Sequence, residues 1–170
     1  MGQGYGCTCN KCGYSFSANL GVGFLFPMVY RETVGAMKKG EYGEQGKKFF
    51  DEHSDGAIDC ETVVARCSAC GEYGQVPALT MYVPKKDFDP AKMEPKGRWS
   101  VAFPFEGADY VSWLDLKKYY DLYEKYDHRC PECGGAAEIV EDFEKKLEEG
   151  ELSCAKCDST LKLVDIIMWD

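Results

Sequence analysis

The chain has 170 residues, 45% of them hydrophobic and 14% aromatic. That is enough to bury a core in one compact domain or two small ones, and too apolar for wholesale disorder. Twenty Lys and Arg against 29 Asp and Glu leave a net charge of −9, which argues against a nonspecific nucleic-acid binder, because phosphate contacts draw on clustered cations.

At the start, MGQGYGCTC lacks the charged and apolar regions of a secretory signal. The most apolar stretch, residues 20–30, falls far short of the roughly 20 residues that cross a bilayer. The expected setting is therefore a soluble, reducing cytoplasm with no membrane attachment, where clustered cysteines serve metals more often than disulfides.

Cys9 and Cys12 open the pattern, and residues 14–26 follow as a strand. Pro27 suits the first turn of a helix, which would turn Val29, Val34 and Met37 inward and stop near Gly40. A shorter helix over 44–53 buries Phe49 and Phe50 before Asp55-Gly56 turns the chain. Residues 62–66 lead as a strand into Cys67, and 76–83 lead as a strand away from Cys70, with Pro77 marking an edge position. Residues 84–97 carry Pro84, Pro90 and Pro95 and read as a linker, followed by a strand over 98–105. Ser112 is a helix N-cap with Asp115 in the first turn. From there Trp113, Leu116, Tyr120 and Tyr123 recur at helical spacing, with Tyr119 and Tyr126 widening the aromatic surface. Beyond Cys130 and Cys133, residues 136–140 read as a strand. Phe143 and Leu147 lie on a short helix closed by Gly150. After Cys154 and Cys157, residues 160–169 read as a half-buried strand.

Ten cysteines beside two histidines is the outlying number. Eight of them form four Cys-x-x-Cys pairs: Cys9/Cys12, Cys67/Cys70, Cys130/Cys133 and Cys154/Cys157. Two intervening residues let a tight turn aim both thiolates at one ion, and two such turns complete a tetrahedral set of four, the closed arrangement zinc prefers. Glycine follows the second cysteine in three of the four, where a positive φ is commonly needed. Cys130/Cys133 and Cys154/Cys157 are 20 residues apart (134–153), a spacing typical of a single zinc site. By elimination Cys9/Cys12 would pair with Cys67/Cys70 across 54 residues (13–66). Cys7 and Cys60 are left over and read as small buried thiols, with Cys7 an alternative ligand by its position.

The segments Cys-Asn-Lys-Cys-Gly-Tyr (9–14) and Cys-Pro-Glu-Cys-Gly (130–134) resemble the knuckles of the zinc-ribbon, or rubredoxin-like, family. The resemblance covers the knuckles and flanking strands, about a third of the chain. It implies β-hairpin knuckles and closed sites, and it implies no activity. The expected fold is thus α+β: two four-cysteine zinc-ribbon modules with helical inserts and two zinc ions per chain, iron being a possible substitute. The modules would occupy 1–83 and 112–170, joined by a linker and strand over 84–111.

Charge is uneven: residues 112–170 carry −7 and residues 1–111 carry −2. With the Tyr-rich segment, this points to a non-catalytic interaction module whose Trp113, Tyr119, Tyr123 and Tyr126 meet another protein with a basic surface. Two other readings stand beside it. Lys85, Lys86, Lys92, Lys96 and Arg98, with Phe88 and Trp99 near enough to stack on bases, could serve a nucleic acid. Iron in place of zinc would make an electron carrier. No spacing picks out catalytic residues. His53 and His128 read as packing or surface groups, and His128 stands close enough to Cys130 to hydrogen-bond a sulfur.

Overall fold

A computed structural model describes residues 2–23, 25–89 and 110–169, which fall into two units built from non-consecutive stretches. One gathers Met1–Phe24, Glu61–Ala78 and Asp127–Asp170; the other gathers Leu25–Cys60 and Leu79–Tyr126. This grouping cuts the chain elsewhere than at 83 and 111: the two inserts make one unit of their own, and the four cysteine pairs share the other. In chain order the elements are β1 (Gly2–Thr8), β2 (Ser15–Leu20), α1 (Phe26–Lys38), α2 (Glu44–Glu52), β3 (Ala57–Ile58), β4 (Thr62–Cys67) and β5 (Tyr73–Pro77). There follow β6 (Met81–Pro84), α3 (Trp113–Tyr119), β7 (Tyr120–Glu124), β8 (Ala137–Ile139), α4 (Phe143–Glu148) and β9 (Lys162–Trp169). The architecture is α+β, with three small antiparallel sheets among the described residues.

In the cysteine-bearing unit the sheets run β2-β1-β9 and β5-β4-β8. Gly21 and Thr62 join them, each donating its N–H to the other's carbonyl at 2.9 and 3.0 Å. A Cβ on Gly6 would lie 1.8 Å from Asp165 Oδ1, so any side chain there would have to displace the Asp165 carboxylate. The pairing slips by a bulge between Gly6 and Cys7. Phe143 and Leu147, four apart on α4, are buried with Tyr5, Val64, Leu152 and Leu161. Burying each large apolar side chain contributes about 1.5–3 kcal/mol. The strand expected over 14–26 is shorter, because Gly21, at φ 83°, turns the chain toward Thr62.

In the other unit β3, β6 and β7 form a sheet, and α1 and α2 pack Tyr30, Met37, Phe49 and Phe50 against Ile58, Leu79 and Met81. Pro27 stands in the first turn of α1 as expected. The buried face of that helix is Tyr30, Thr33 and Met37; Val29, expected inside, is 44% exposed. The single strand expected over 76–83 is two, because Leu79 adopts φ 54° and breaks the run between β5 and β6. Ser112 caps α3 through a reciprocal box: Asp115 N–H donates to Ser112 Oγ, and the Asp115 carboxylate accepts from the Ser112 N–H at 3.0 Å. That helix stops at Tyr119. Tyr120–Glu124 is β7, paired with β6, so Trp113, Leu116, Tyr120 and Tyr123 do not share a helical face. Sheet pairing by a Tyr-rich segment has overridden its helical spacing. The rest of the linker (90–97) and the strand expected over 98–105 lie outside the described residues.

Candidate metal centres

All four Cys-x-x-Cys pairs sit at hairpin tips of one construction. For a first cysteine at position i, residues i−1 and i+6 pair across the strands: Thr8 with Ser15, Arg66 with Tyr73, Arg129 with Ala136, Ser153 with Thr160. The first cysteine's N–H donates to the carbonyl of i+5, and its carbonyl accepts from the N–H of i+4, at distances of 2.6–3.2 Å throughout. Residue i+4 has positive φ in every case: 73° at Gly13, 75° at Gly71, 72° at Gly134 and 55° at Asp158. The glycine signal is therefore geometric, and Asp158 shows the one place where a side chain tolerates it. Backbone N–H groups point at sulfur, those of Ala69 and Cys70 toward Cys67 Sγ (3.4 Å each) and that of Lys156 toward Cys154 Sγ (3.3 Å).

The tips converge as two tetrads, with the four sulfurs of each within 4.8 Å of one another. One holds Cys9, Cys12, Cys154 and Cys157; the other holds Cys67, Cys70, Cys130 and Cys133. This corrects the pairing expected from spacing, which joined Cys9/Cys12 to Cys67/Cys70 and Cys130/Cys133 to Cys154/Cys157. Strand pairing is the cause. β1 lies against β9, which brings the tip after β1 beside the tip that precedes β9; β4 lies against β8, which does the same for the inner two. The nested arrangement closes 59 residues (71–129) and 141 (13–153) where the tandem one would close 20 and 54. Loop-closure entropy charges only about 2 kcal/mol for that difference, less than two strand pairings supply.

Sulfur–sulfur distances are 3.5 Å for Cys9–Cys157, Cys12–Cys154 and Cys67–Cys133, and 3.7 Å for Cys70–Cys130. A tetrahedral ion with metal–sulfur bonds of about 2.3 Å spaces its ligands about 3.8 Å apart, so both tetrads fit one four-coordinate ion each. The Cys70 N–H lowers the Cys67 thiol to about 6, and the Ser159 N–H does the same for Cys157. The Tyr14 N–H lowers Cys12, but burial and protons shared with Cys154, Cys157 and Cys9 push it up to about 12. Each tetrad thus sets one lowered thiol beside one pushed up to about 12, Cys12 in the first and Cys133 in the second, and a cation would displace the protons held there.

The leftover thiols are buried in the cores of different units. Burial pushes Cys7 and Cys60 each up to about 11, and Cys7 is outside both tetrads. His128 is buried with Nε2 3.0 Å from the Ala78 carbonyl oxygen, and His53 lies between the rings of Phe49 and Tyr123. Of the aromatic residues singled out for a partner, Trp113 is half exposed beneath the Lys117 ammonium, and Tyr123 is exposed. Tyr119 stacks on Phe88 at 4.6 Å, and the half-buried Tyr126 donates to the Tyr42 carbonyl. Lys85 donates to the carbonyls of Lys117 and Lys118, and Phe88 is occupied by Tyr119; Lys92, Lys96, Arg98 and Trp99 lie outside the described residues. Two residues escaped sequence reasoning altogether, Glu72 and Lys156, which form a 2.6 Å ion pair between hairpin tips. Nothing in their spacing could have revealed it. No helix among the described residues is long and apolar enough to cross a membrane. No family model, no curated protein and no solved structure matches this chain.

Proposed function

We propose that this chain is a zinc-stapled, non-catalytic module of the zinc-ribbon kind that presents an acidic, aromatic surface to another protein. The observation that carries the reading is the donor set: eight sulfurs, in two groups of four, on hairpin tips of one construction. Four thiolates complete tetrahedral zinc and leave no position for a water to be activated, as structural sites do. Three-stranded sheets bury little on their own, and a structural zinc supplies about 10–16 kcal/mol of folding free energy. The ribbons are nested rather than tandem.

The interaction half of the proposal rests on charge and exposure. Two zinc tetrathiolates, at about −2 each, deepen the net charge from −9 to about −13, which suits a basic partner. Trp113, Leu114, Leu122 and Tyr123 are exposed large side chains on one unit, and Trp and Tyr are the residues most often found as interface anchors.

The test has two parts. Elemental analysis and native mass spectrometry of anaerobically purified full chain should give two zincs, with loss of structure on strong chelation. Trp113→Ala with Tyr123→Ala should keep both zincs and lose a partner that the wild type retains. One metal per chain, or a double variant that keeps every partner, overturns the proposal. Iron with a visible thiolate band would replace it with electron transfer.

A further inference from the structure

Glu72 follows Cys70-Gly71 at the β4–β5 tip, whose two cysteines belong to the second tetrad. Its side chain is half-buried, 21% of it exposed. One oxygen accepts the Tyr14 hydroxyl at 2.5 Å, and the other accepts the Lys156 ammonium at 2.6 Å. Tyr14 follows Cys12-Gly13, and Lys156 lies between Cys154 and Cys157. A single carboxylate from one tetrad's tip therefore holds both tips of the other. Two more contacts run the same way: the Tyr73 hydroxyl donates to the Ser153 carbonyl at 2.8 Å, and a Cβ on Gly71 would stand 3.5 Å from the Ala155 carbonyl oxygen.

We infer that the two metal sites load as a coupled pair, with Glu72 as the positioning residue between them; the inference rests on the metal reading above. The Cys67 N–H bond to the Glu72 carbonyl, at 2.9 Å, belongs to the hairpin tip itself. An ion shared by Cys67, Cys70, Cys130 and Cys133 orders that tip and so places the carboxylate. The placed carboxylate in turn fixes Tyr14 and Lys156, and with them both halves of the Cys9/Cys12/Cys154/Cys157 site. An exposed ion pair alone would contribute little. Here the carboxylate is half-buried, the Lys156 side chain 58% exposed, and both carboxylate oxygens accept charge-assisted bonds, the stronger class of hydrogen bond. Coupling is reciprocal by linkage, so loading the first site favours the second by the same factor.

The experiment is a thermodynamic cycle on full-length chain, with zinc affinities set by a competing chelator and occupancy read by native mass spectrometry. Removing the second site with Cys70→Ser and Cys133→Ser should weaken zinc at the first by about tenfold, within the usual range of such couplings. Removing the first with Cys12→Ser and Cys157→Ser should weaken the second equally. In a Glu72→Ala background both factors should fall to about one, and Tyr14→Phe, which keeps the ring, should reduce them in part. A merely destabilising change would shift both affinities without altering their ratio. Two zincs bound independently in the wild type, or a factor that survives Glu72→Ala, overturns the coupling alone. A wild type that takes up no zinc overturns the metal reading as well.

Discussion

Which cysteines share an ion can be decided by two double substitutions. Cys12→Ser with Cys157→Ser removes two ligands from one tetrad, whereas Cys12→Ser with Cys70→Ser removes one from each. Cys12 and Cys70 are exposed and Cys157 is half-buried, so all three changes spare the buried Cys9, Cys67 and Cys154. A structural zinc contributes about 10–16 kcal/mol. Halving a tetrad should forfeit roughly half of that, about four to six orders of magnitude in affinity at 1.4 kcal/mol per decade. A nanomolar chelator then strips the damaged site. The first variant is expected to retain one zinc per chain after chelation and gel filtration, because the Cys67 tetrad is intact. The second, with three thiolates left in each site, should lose affinity at both and retain clearly less than one. If the first variant retains none, the nested pairing is wrong.

Three further outcomes are expected. At the hairpin tips, Gly134→Ala should destabilise by about 1–2 kcal/mol through backbone strain alone, since φ is 72° and no atom lies within 4 Å of the new Cβ; Asp158→Gly should instead be neutral or stabilising by up to about 1 kcal/mol, and thermal unfolding of the loaded chain distinguishes the two. Phe49→Ala, at a side chain 2% exposed, should cost about 3–5 kcal/mol in urea unfolding, and a loss under 1 kcal/mol would refute its place in the core. Cys7 and Cys60, with thiols pushed up to about 11, should be alkylated at pH 7.5 more than about a hundredfold more slowly than a free thiol. Raised pKa values leave less thiolate, so their rates should climb with pH up to about 11; rapid labelling at neutral pH would show that one is accessible.

The four hairpin tips and their eight cysteines were legible because Cys-x-x-Cys and the glycine after it are local constraints, satisfied within one hairpin tip. So were Pro27 in the first turn of α1, the Ser112–Asp115 cap, and the Phe143/Leu147 face of α4. Their partners across the fold were not. Spacing favoured the short loops, yet closure entropy varies too slowly with length to outweigh β1 pairing with β9 and β4 with β8. Tyr120 and Tyr123 fit a helical period over Trp113 and Leu116 until β6 supplied a strand to pair with. Periodicity cannot foresee such a competitor, nor can it foresee that Glu72 meets Tyr14 and Lys156.

The nested order of the tips carries a consequence in time. On a ribosome Cys9, Cys12, Cys67 and Cys70 all emerge before Cys130, which follows Cys70 by 60 residues, a delay of about 3–12 s at ordinary elongation rates. Throughout that interval the nascent chain offers four thiols that are complete in number yet wrong in partnership. An ion captured then bridges tips whose strands are destined for other neighbours. On the metal reading proposed above, a chain that captured an ion then would have to exchange it, and the yield of correctly metallated protein should depend on how freely zinc is supplied and withdrawn while the chain is still being made.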